Sequence, residues 1–510
     1  MALSLINSVA SWFLRKRFQQ IEYFMNHPHE VQDALLMSLI SKAKNTELGK
    51  KYGFSSITSY QDFTQQVPIT TYEAYQPYIE RSRRGEDNIF WPTTIRWFAK
   101  SSGTTNAKSK FIPVSLEALE NCHYEASKDF LSIYLNNNPD SQLFTGKGLR
   151  LGGSKELYKE NGTSFGDLSA ILIDNMPFWA EYSSTPNNQI SLLSDWEIKM
   201  QAIVDDTINE NVTSLMGVPS WMLVLLNNVL ETTGKNSILE VWPNLEVYFH
   251  GGVSFAPYRK QYNKILPKDD FRYYEVYNAS EGFFAIQDRN DSDELLLMLD
   301  YGIFYEFIPM DTFGTDKEQI IPLSEVEIGK NYAIVITTNA GLWRYMIGDT
   351  VRFTNTSPYR IRVSGRTKHF INVFGEELII ENVEKALQDT IQKVPCEIKD
   401  YTVAPIFMEG REKGAHQWII EFSTPPENIE AFRDCLDISL QKLNSDYEAK
   451  RFNNTTLRPL EIVVAKKGLF YDWLKTQDKL GGQHKIPRLS NSRDLIEELL
   501  KIQDKNIIIE

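Results

Sequence analysis

Apolar and polar residues follow one another along this chain in blocks that predict alternating helices and strands. Apolar residues recur at helical spacing in four segments: 4–51, 121–135, 190–211 and 429–443. Short apolar runs that close on small or polar residues predict strands at the start of 213–221, at 245–252 and at 271–277. Strands that alternate with helices in this way are typical of α/β layers, in which ligands lie beyond the carboxyl ends of the strands.

The pattern changes towards the end of the chain and predicts a second domain. Segments 296–309 and 331–338 are β-rich and predict a β-rich subdomain of the first domain. Residues 362–368 predict a linker, and the β/α pattern of about 145 residues beyond it has a common size for a separate domain. We expect an α/β fold with a large multi-layer N-terminal domain, 1–364, whose β-sheets are flanked by helices, and a small α+β C-terminal domain, 365–510.

A hydroxyl-rich loop lies between two apolar runs, Trp97–Ala99 and Phe111–Pro113. Its sequence is Ser101-Ser102-Gly103-Thr104-Thr105, and lysines follow at 108 and 110. Backbone N–H groups and hydroxyls of such a loop can surround an anion, and the glycine allows positive φ or a close approach. The alternative is a polar hairpin loop without a ligand, since the same residues are common turn formers. The second glycine of the pattern GxxxxGK[ST] is missing, which excludes an ordinary Walker-type ATPase.

Composition narrows the classes of function. The 510 residues are 42% hydrophobic and 24% charged, a globular composition whose length implies a few domains. The net charge of −13 argues against a nucleic-acid partner, because the average surface would repel phosphates. Cys122, Cys396 and Cys435 are far apart in the chain and fit buried thiols in a reducing compartment, and the seven histidines show no metal-ligand spacing.

The sequence predicts no integral membrane association. No segment approaches the roughly 20 apolar residues that cross a bilayer. The apolar N-terminal stretch precedes Arg15, Lys16 and Arg17, whereas a signal peptide carries its positive charges first. The stretch predicts an amphipathic helix packed on the body, with peripheral membrane contact as the alternative. We therefore expect a cytoplasmic protein.

Four stretches occur in the order found in adenylate-forming enzymes, the superfamily of acyl-CoA synthetases and luciferases. They are the loop 101–105, Tyr277-Asn278-Ala279-Ser280-Glu281, Trp343-Arg344-Tyr345-Met346-Ile347-Gly348-Asp349, and Gly365-Arg366. Together with Gln483-His484-Lys485-Ile486-Pro487-Arg488, they most resemble the auxin-responsive family of acyl acid amido synthetases, in a bacterial-type member. Two departures are Asn106-Ala107, where many adenylating enzymes carry a further glycine and proline, and the setting of Lys485, which is not the Gly-Lys-Ile of acyl-CoA synthetases.

The resemblance implies an ATP-dependent ligase whose C-terminal domain swings about a hinge near 364–368. The enzyme would adenylate a carboxylic acid to acyl-AMP with release of pyrophosphate, and would then transfer the acyl group to the amine of an amino acid. The alternative keeps the adenylation step and makes coenzyme A the acceptor, and a third hypothesis is a non-catalytic binding protein on the same fold. The expected cofactors are ATP and Mg²⁺. The expected partners are a small carboxylic acid and an amino acid, and we expect a monomer.

Candidate roles follow from the resemblance and from the chemistry of phosphate binding. Ser101, Ser102, Gly103, Thr104 and Thr105 would supply N–H and hydroxyl donors to the ATP phosphates. Glu281 is a candidate catalytic residue and metal ligand, because Mg²⁺ prefers carboxylate and phosphate oxygens. The alternative for Glu281 is an acid at a helix N-terminus that complements the helix dipole.

The remaining candidates belong to the expected nucleotide site. Tyr277 would present a flat face to adenine, with a core position as the alternative, and Asn278 and Ser280 share its motif. Asp349 would accept hydrogen bonds from the ribose hydroxyls, or it forms part of a Gly-Asp turn. Gly252 would line the nucleotide pocket, or it belongs to a turn.

Two candidates lie in or near the expected mobile domain. Arg366 would reach the ribose or a phosphate from the hinge, and its alternative is a solvated linker charge. Lys485 is the second candidate catalytic residue, which would contact the acyl carboxylate and the α-phosphate during adenylation. Its alternative is a surface charge.

Overall fold

The computed structural model describes two compact units. The described residues are 17–101, 110–152, 157–160, 162–193, 195–252, 255, 258–367, 370–371, 378–407, 413–444, 447–448, 451, 457–477, 486–490 and 492–505. The first unit consists of Met1–Val253 and Ile265–Val363, and the second consists of Ser254–Lys264 and Ser364–Glu510. A short segment from the middle of the chain therefore folds with the C-terminal residues. The roles and the hinge motion predicted for the two parts stay predictions.

Helices of both units follow the predicted pattern in most places. Residues 17–26 are helical, and the further helices of the first unit are Pro28–Ala43, Glu47–Lys51, Tyr60–Gln66, Tyr72–Arg83, Leu116–Ala118, Glu125–Asn137, Leu168–Asp174, Phe178–Tyr182, Asn188–Ser191, Trp196–Thr207 and Pro219–Thr233, with a π-helical turn at Leu119–Tyr124. The later helices are Arg259–Ile265, Ile380–Lys393, Ile429–Leu443, Leu469–Thr476 and Asp494–Lys505. The segment 190–211, where the apolar spacing predicts helix, is helical over Trp196–Thr207, and Asp195 caps this helix by accepting a 2.9 Å hydrogen bond from the Ile198 N–H.

Strands are numbered here in chain order. They are β1 (Trp97–Ser101), β2 (Lys110–Val114), β3 (Lys147–Arg150), β4 (Tyr158–Glu160), β5 (Thr163–Gly166), β6 (Ser184–Thr185), β7 (Val212–Gly217), β8 (Val247–Gly251), β9 (Arg272–Ala279), β10 (Gly282–Gln287), β11 (Leu295–Leu297), β12 (Ile303–Pro309), β13 (Ile321–Pro322), β14 (Asn331–Thr338), β15 (Tyr345–Thr356), β16 (Tyr359–Arg366), β17 (Phe370–Ile371), β18 (Leu378–Ile379), β19 (Glu397–Ile406), β20 (Ala415–Thr424) and β21 (Glu461–Val464).

One large mixed sheet organises the first unit. Its strand order is β13-β12-β14-β15-β16-β11-β10-β9-β8-β7-β3-β6. At one end of this sheet, β9, β8, β7, β3 and β6 pair in parallel. From β9 to the opposite end at β13, all described pairings between neighbouring strands are antiparallel. A smaller sheet has the order β2-β1-β5-β4. The strands predicted within 213–221, 245–252 and 271–277 are confirmed as β7, β8 and β9, and the predicted α/β class is confirmed with them.

The core of the first unit lies between the sheet and the helices that cover it. Helix Glu125–Asn137 packs on the parallel strands through aromatic side chains. The ring of Phe130 lies 4.6 Å from that of Phe249, and Tyr134 meets Tyr274 edge-on with a centroid distance of 5.4 Å. These four residues are buried, so their packing fixes the position of β8 and β9 relative to the helix.

The second unit has its own sheet and core. Strands β19, β20 and β21 form a sheet. The sheet and the helices Ile380–Lys393 and Ile429–Leu443 contribute side chains to a separate cluster of buried residues, which includes Trp418 and Phe432. The segment 362–368, predicted as a linker, is a strand up to Arg366, and the second unit begins within it at Ser364. Among the described residues, we find no helix that is long and apolar enough to span a membrane.

Candidate functional site

The segment Tyr277 to Glu281 forms the end of a tight β-hairpin. Asn278 pairs with Phe283 and Ala279 with Gly282, so Ser280 and Glu281 are the two turn residues between β9 and β10. The alternative in which Glu281 starts a helix is therefore wrong. Ser280 is buried at 8% exposure and Glu281 is partly exposed. The hairpin places the carboxylate of Glu281 at its tip and Tyr277 close to the tip, opposite Ala285.

Asp349 is presented by a bulge in β15. Ala333 of β14 pairs with Thr350 and Val335 pairs with Met346, so residues 347–349 stand opposite the single residue 334. Gly348 within this bulge has φ +88°, a conformation that favours glycine. Bulges re-aim side chains and are frequent beside active sites. The predicted Gly-Asp element is thus a bulge inside a strand and not a turn between elements.

Tyr277 and Asp349 meet across the sheet. The Tyr277 hydroxyl donates a 2.8 Å hydrogen bond to Asp349 Oδ2, and the two residues are 7% and 9% exposed. Between β9 and β15 lie β10, β11 and β16, so a flat sheet would hold these strands about 19 Å apart. The antiparallel half of the sheet must therefore curl strongly. This curl brings two candidate nucleotide-binding residues, separated by 72 positions in the chain, into one place.

A buried ion pair holds the start of β15. Arg344, with φ +43°, donates from Nε and Nη2 to the carboxylate of Glu306 at 2.9 and 2.8 Å, and its Nη1 donates to the Val67 carbonyl at 2.7 Å. The Tyr60 hydroxyl donates to the same carboxylate at 2.9 Å, so Glu306, which is 1% exposed, is well satisfied. Arg344 thus fixes the strand that carries Asp349 and does not itself face an open site.

The hydroxyl-rich loop joins β1 and β2, which pair as an antiparallel hairpin with Ser101 opposite Lys110. Ser102, Gly103, Thr104 and Thr105 lie outside the described residues, as does the side chain of Ser101. The described strands fix where the loop begins and ends. The predicted contacts of the loop with phosphate stay a prediction.

Two charged side chains lie beside the start of this loop. Strand β5 runs parallel to β1 with Gly166 opposite Ala99, so Asp167 follows at the level of Lys100. Burial raises the pKa of Asp167 to about 6, against the opposing effect of Lys100 and Lys199. Burial likewise lowers the pKa of Lys199 to about 8. Lys199 donates a 3.0 Å hydrogen bond to the Gly152 carbonyl, which links β3 to this charged pair.

The double glycine closes β8 next to the hairpin strand. A Cβ on Gly251 would lie 2.3 Å from the Val276 carbonyl oxygen, so only glycine allows β8 to approach β9 this closely. Gly252 follows with φ +83° and is exposed. Both glycines lie at the carboxyl edge of the parallel strands, one strand away from Tyr277.

The two remaining candidates belong to the second unit, which is described by itself. Arg366 ends β16 and is partly exposed. Lys485 lies outside the described residues, whereas Arg488 of the same motif lies within them. Its guanidinium ion-pairs with Asp400, donates to the Tyr401 carbonyl at 2.8 Å and stacks over the Tyr401 ring at 4.5 Å. Arg488 is therefore anchored to β19.

Arg150, Asp167 and Lys199 were not among the candidates from sequence. The available signal was a charged residue inside a short apolar strand, Leu149-Arg150-Leu151, directly before a double glycine. Among the described residues, no group of three or more histidine, cysteine, aspartate or glutamate side chains could hold a metal ion. The three cysteines are free thiols.

Comparison with protein families identifies the chain. Models of the GH3 family N-terminal, central and C-terminal domains match residues 17–271, 296–366 and 381–494 in that order. The chain belongs to the GH3 family. The predicted resemblance to acyl acid amido synthetases is confirmed at the level of the family.

Several plant GH3 proteins are similar to this chain over nearly its full length. An indole-3-acetic acid-amido synthetase of Arabidopsis thaliana, GH3.3, is 23% identical over 95% of this chain and 93% of its own. A 4-substituted benzoates-glutamate ligase of the same plant, GH3.12, is 23% identical over 94% and 96%. A jasmonoyl-L-amino acid synthetase of Nicotiana attenuata, JAR6, is 23% identical over 97% and 96%.

Solved structures confirm the fold of this GH3 chain. The GH3.15 acyl acid amido synthetase superposes with a TM-score of 0.79 at 20% identity, over 96% of this chain and 95% of that one. A 2-hydroxyisobutyryl-CoA ligase in the postadenylation state gives a TM-score of 0.55 at 13% identity, over 93% and 91%. The predicted adenylate-forming fold is thereby confirmed.

Proposed function

We propose that this GH3 chain is an ATP-dependent acid–amino acid ligase that makes an amide through an acyl-adenylate. The observation that carries the proposal is the Tyr277–Asp349 hydrogen bond, because it joins two candidate nucleotide-binding motifs in one folded unit. The names of the similar plant proteins, which describe amido synthetases and an amino acid ligase, support the same reaction.

The reaction has two half-reactions. A carboxylate is a poor acylating agent because its leaving group would be oxide. In the first step a carboxylate oxygen attacks the α-phosphorus of ATP, the bond to the bridging oxygen breaks, and pyrophosphate leaves. In the second step the neutral amine attacks the acyl carbon, the C–N bond forms, the C–O bond to phosphate breaks, and AMP leaves while the amine proton passes to solvent. Both steps depend on in-line positioning and on charge stabilisation.

The nucleoside would bind at the hairpin and the bulge. An ionised Asp349 can accept hydrogen bonds from both ribose hydroxyls, and Tyr277 orients the carboxylate from the other side. The Tyr277 ring would contact adenine. Asn278 and Ser280 at the hairpin end, and Gly252 at the neighbouring strand end, would line the pocket.

The triphosphate would bind at the loop 101–105, whose hydroxyls and N–H groups suit phosphate oxygens. Mg²⁺ is held in proteins by one or two carboxylates together with substrate phosphates, and Glu281 at the hairpin tip fits that donor set. When bound, the ion would neutralise phosphate charge. From the second unit, Arg366 would contact the ribose or a phosphate, and Lys485 would contact the acyl carboxylate and the α-phosphate as the hinge at 364–368 allows.

We further propose that the enzyme is a cytoplasmic monomer. Its three cysteines are free, and Cys122 and Cys396 are buried, as expected of thiols in a reducing compartment. Size-exclusion chromatography with light scattering at several protein concentrations tests the monomer. A mass of twice 58.9 kDa at all concentrations would contradict it.

The function is tested with the purified chain, ATP, Mg²⁺ and a panel of acids that includes indole-3-acetic acid and 4-substituted benzoates. We expect acid-dependent exchange of labelled pyrophosphate into ATP, and an amide product after addition of the common amino acids. Coenzyme A is offered in the same mixture, and a thioester without any amide would overturn the proposal. Lys485→Ala should reduce the exchange, whereas the exposed control Lys467→Ala should not.

A further inference from the structure

Arg150 is a buried cation at the carboxyl end of a central strand. It is the last residue of β3, is 9% exposed, and stands opposite Met216 of the parallel strand β7. In open α/β sheets this edge is where ligands bind. The residue therefore lies at the edge that also carries Gly251 and the β9 hairpin.

The hydrogen-bond partners of Arg150 among the described residues are neutral. Nη1 donates to the Ser184 hydroxyl at 3.1 Å and contacts the Met176 sulfur, and Nη2 donates to the side-chain oxygen of Asn188. Nε is buried and has no hydrogen-bond partner in the part of the chain that the structure describes. Among the described residues, no carboxylate forms an ion pair or a hydrogen bond with Arg150, and Glu181 acts on it only at a distance.

Each other buried arginine in the part of the chain that the structure describes is paired with a carboxylate. Arg344 pairs with Glu306, Arg360 with Asp288 and Arg451 with Asp437, at 2.8, 2.6 and 2.7 Å. A buried charge without a counter-charge is costly, and burial lowers the pKa of Arg150 accordingly. An anionic ligand would remove this cost, because two N–H groups of a guanidinium match the two oxygens of a carboxylate.

Contacts within the first unit connect this cation to the candidate phosphate loop. Two residues after Arg150, the Gly152 carbonyl accepts the hydrogen bond from Lys199. Lys199 and Lys100 both act on Asp167, which lies beside the start of the loop at the end of β1. The end of β3 and the start of the loop are therefore linked through Lys199 and Asp167.

We propose that Arg150 binds the α-carboxylate of the acceptor amino acid in the second half-reaction. The proposal rests on the proposed function and assigns the site of its second substrate. The carboxylate of the acyl acid loses its charge when acyl-AMP forms, whereas the α-carboxylate of the acceptor stays ionised throughout. Every amino acid carries this group, so a fixed guanidinium can recognise the class without selecting a side chain.

The test compares an amino acid with its primary amide as acceptor. The probe is the common amino acid that gives the most product with the best acid of the panel. We expect the wild type to prefer the free carboxylate in kcat/KM by about 10- to 100-fold, the range of hydrogen bonds to a charged group. Arg150→Gln should bring this ratio close to one through a higher KM for the amino acid. Arg150→Lys should fall between the two.

Controls separate this site from a structural role and from the proposed function. Arg272→Gln changes another arginine of the same sheet, whose partner is Asp291, and should keep the wild-type ratio. Acid-dependent pyrophosphate exchange should be unchanged in Arg150→Gln, because the first half-reaction needs no amino acid. If Arg150→Gln keeps both the wild-type preference for the free amino acid and the pyrophosphate exchange, the Arg150 site alone is overturned. The same conclusion follows if Arg150→Gln changes only the KM of acyl acids that carry a second carboxylate. Absence of exchange in the wild type would refute the proposed function instead.

Discussion

The hydroxyl of Tyr277 donates a 2.8 Å hydrogen bond to the carboxylate of Asp349, although three strands separate β9 from β15 in the sheet. The bond fixes the direction of both side chains. The Tyr277 ring is also held by Phe284, whose ring centroid lies 4.9 Å away. The pair is therefore positioned by the protein itself, which is the preorganisation that tight binding of a ribose requires.

This pair makes Asp349→Asn a direct test of the proposed nucleotide site. The amide keeps the shape of the side chain but removes its charge and one acceptor. We expect the KM for ATP in pyrophosphate exchange to rise about 10- to 100-fold, and Tyr277→Phe to raise it less, by up to about 10-fold. Tyr447→Phe is the matched control, because the Tyr447 hydroxyl donates a 2.7 Å bond to Asp437 in the second unit. An unchanged KM in Asp349→Asn would remove this residue from the site.

The buried ion pair between Arg344 and Glu306 should make a large contribution to the free energy of unfolding. Arg344→Met would leave a carboxylate that is 1% exposed without its cation, and we expect a loss of about 3–5 kcal/mol in the free energy of unfolding. Urea unfolding with a constant m-value measures this loss. The double variant Arg344→Met with Glu306→Gln should recover part of it. A loss under about 1 kcal/mol in the single variant, as for a surface ion pair, would contradict the assignment.

A buried histidine predicts acid sensitivity. His123 lies in the π-helical turn Leu119–Tyr124 and is 3% exposed, and burial lowers its pKa from 6.5 to about 4. Between these values His123 binds more protons in the unfolded chain than in the folded chain, so its contribution to stability falls as the pH drops from 6.5 to 4. The contribution of this one group has a slope of up to about 1.4 kcal/mol per pH unit.

The measurement is the difference in unfolding free energy between the wild type and His123→Gln across this pH range. Asp167 contributes in the opposite direction, because its raised pKa of about 6 adds stability as the pH falls towards the unfolded value of 3.8. The difference between the two proteins cancels that contribution. His29→Gln changes an exposed histidine as a control. A wild-type pH dependence in His123→Gln would contradict the prediction.

Gly251→Ala should disturb the site through the backbone. The added Cβ would meet the Val276 carbonyl oxygen at 2.3 Å, so β8 and β9 must separate one residue before Tyr277. We expect a loss of about 1–3 kcal/mol in unfolding free energy together with a higher KM for ATP. Gly148→Ala is the control, since its Cβ would meet only the side-chain oxygen of Ser214, at 3.0 Å. Equal effects of both substitutions on the KM would argue against the prediction.

The strands of the parallel half could be predicted because their signals are local. The runs at 245–252 and 271–277 are apolar, short and bounded by glycine or polar residues, and these properties do not depend on the rest of the chain. The family resemblance likewise depends on short motifs whose order along the chain is preserved.

Other parts of the site depend on contacts between distant residues. The approach of Tyr277 to Asp349 depends on the curl of the sheet, and the bulge at 347–349 depends on pairing with β14. The neutral surroundings of Arg150 come from residues 26 to 38 positions away in the chain. No periodicity of the sequence reports such distances, so these features require the folded structure.

The second unit takes in Ser254–Lys264, so its sequence is interrupted by about a hundred residues of the first. In that segment Tyr258 accepts a 3.3 Å hydrogen bond from Arg488, and Gln261 donates to the Ile398 carbonyl at 3.4 Å. A gene fragment that starts at 364 would thus encode a body that lacks one of its helices. Exchange of C-terminal units between GH3 relatives has to carry the counterpart of 254–264 along with them.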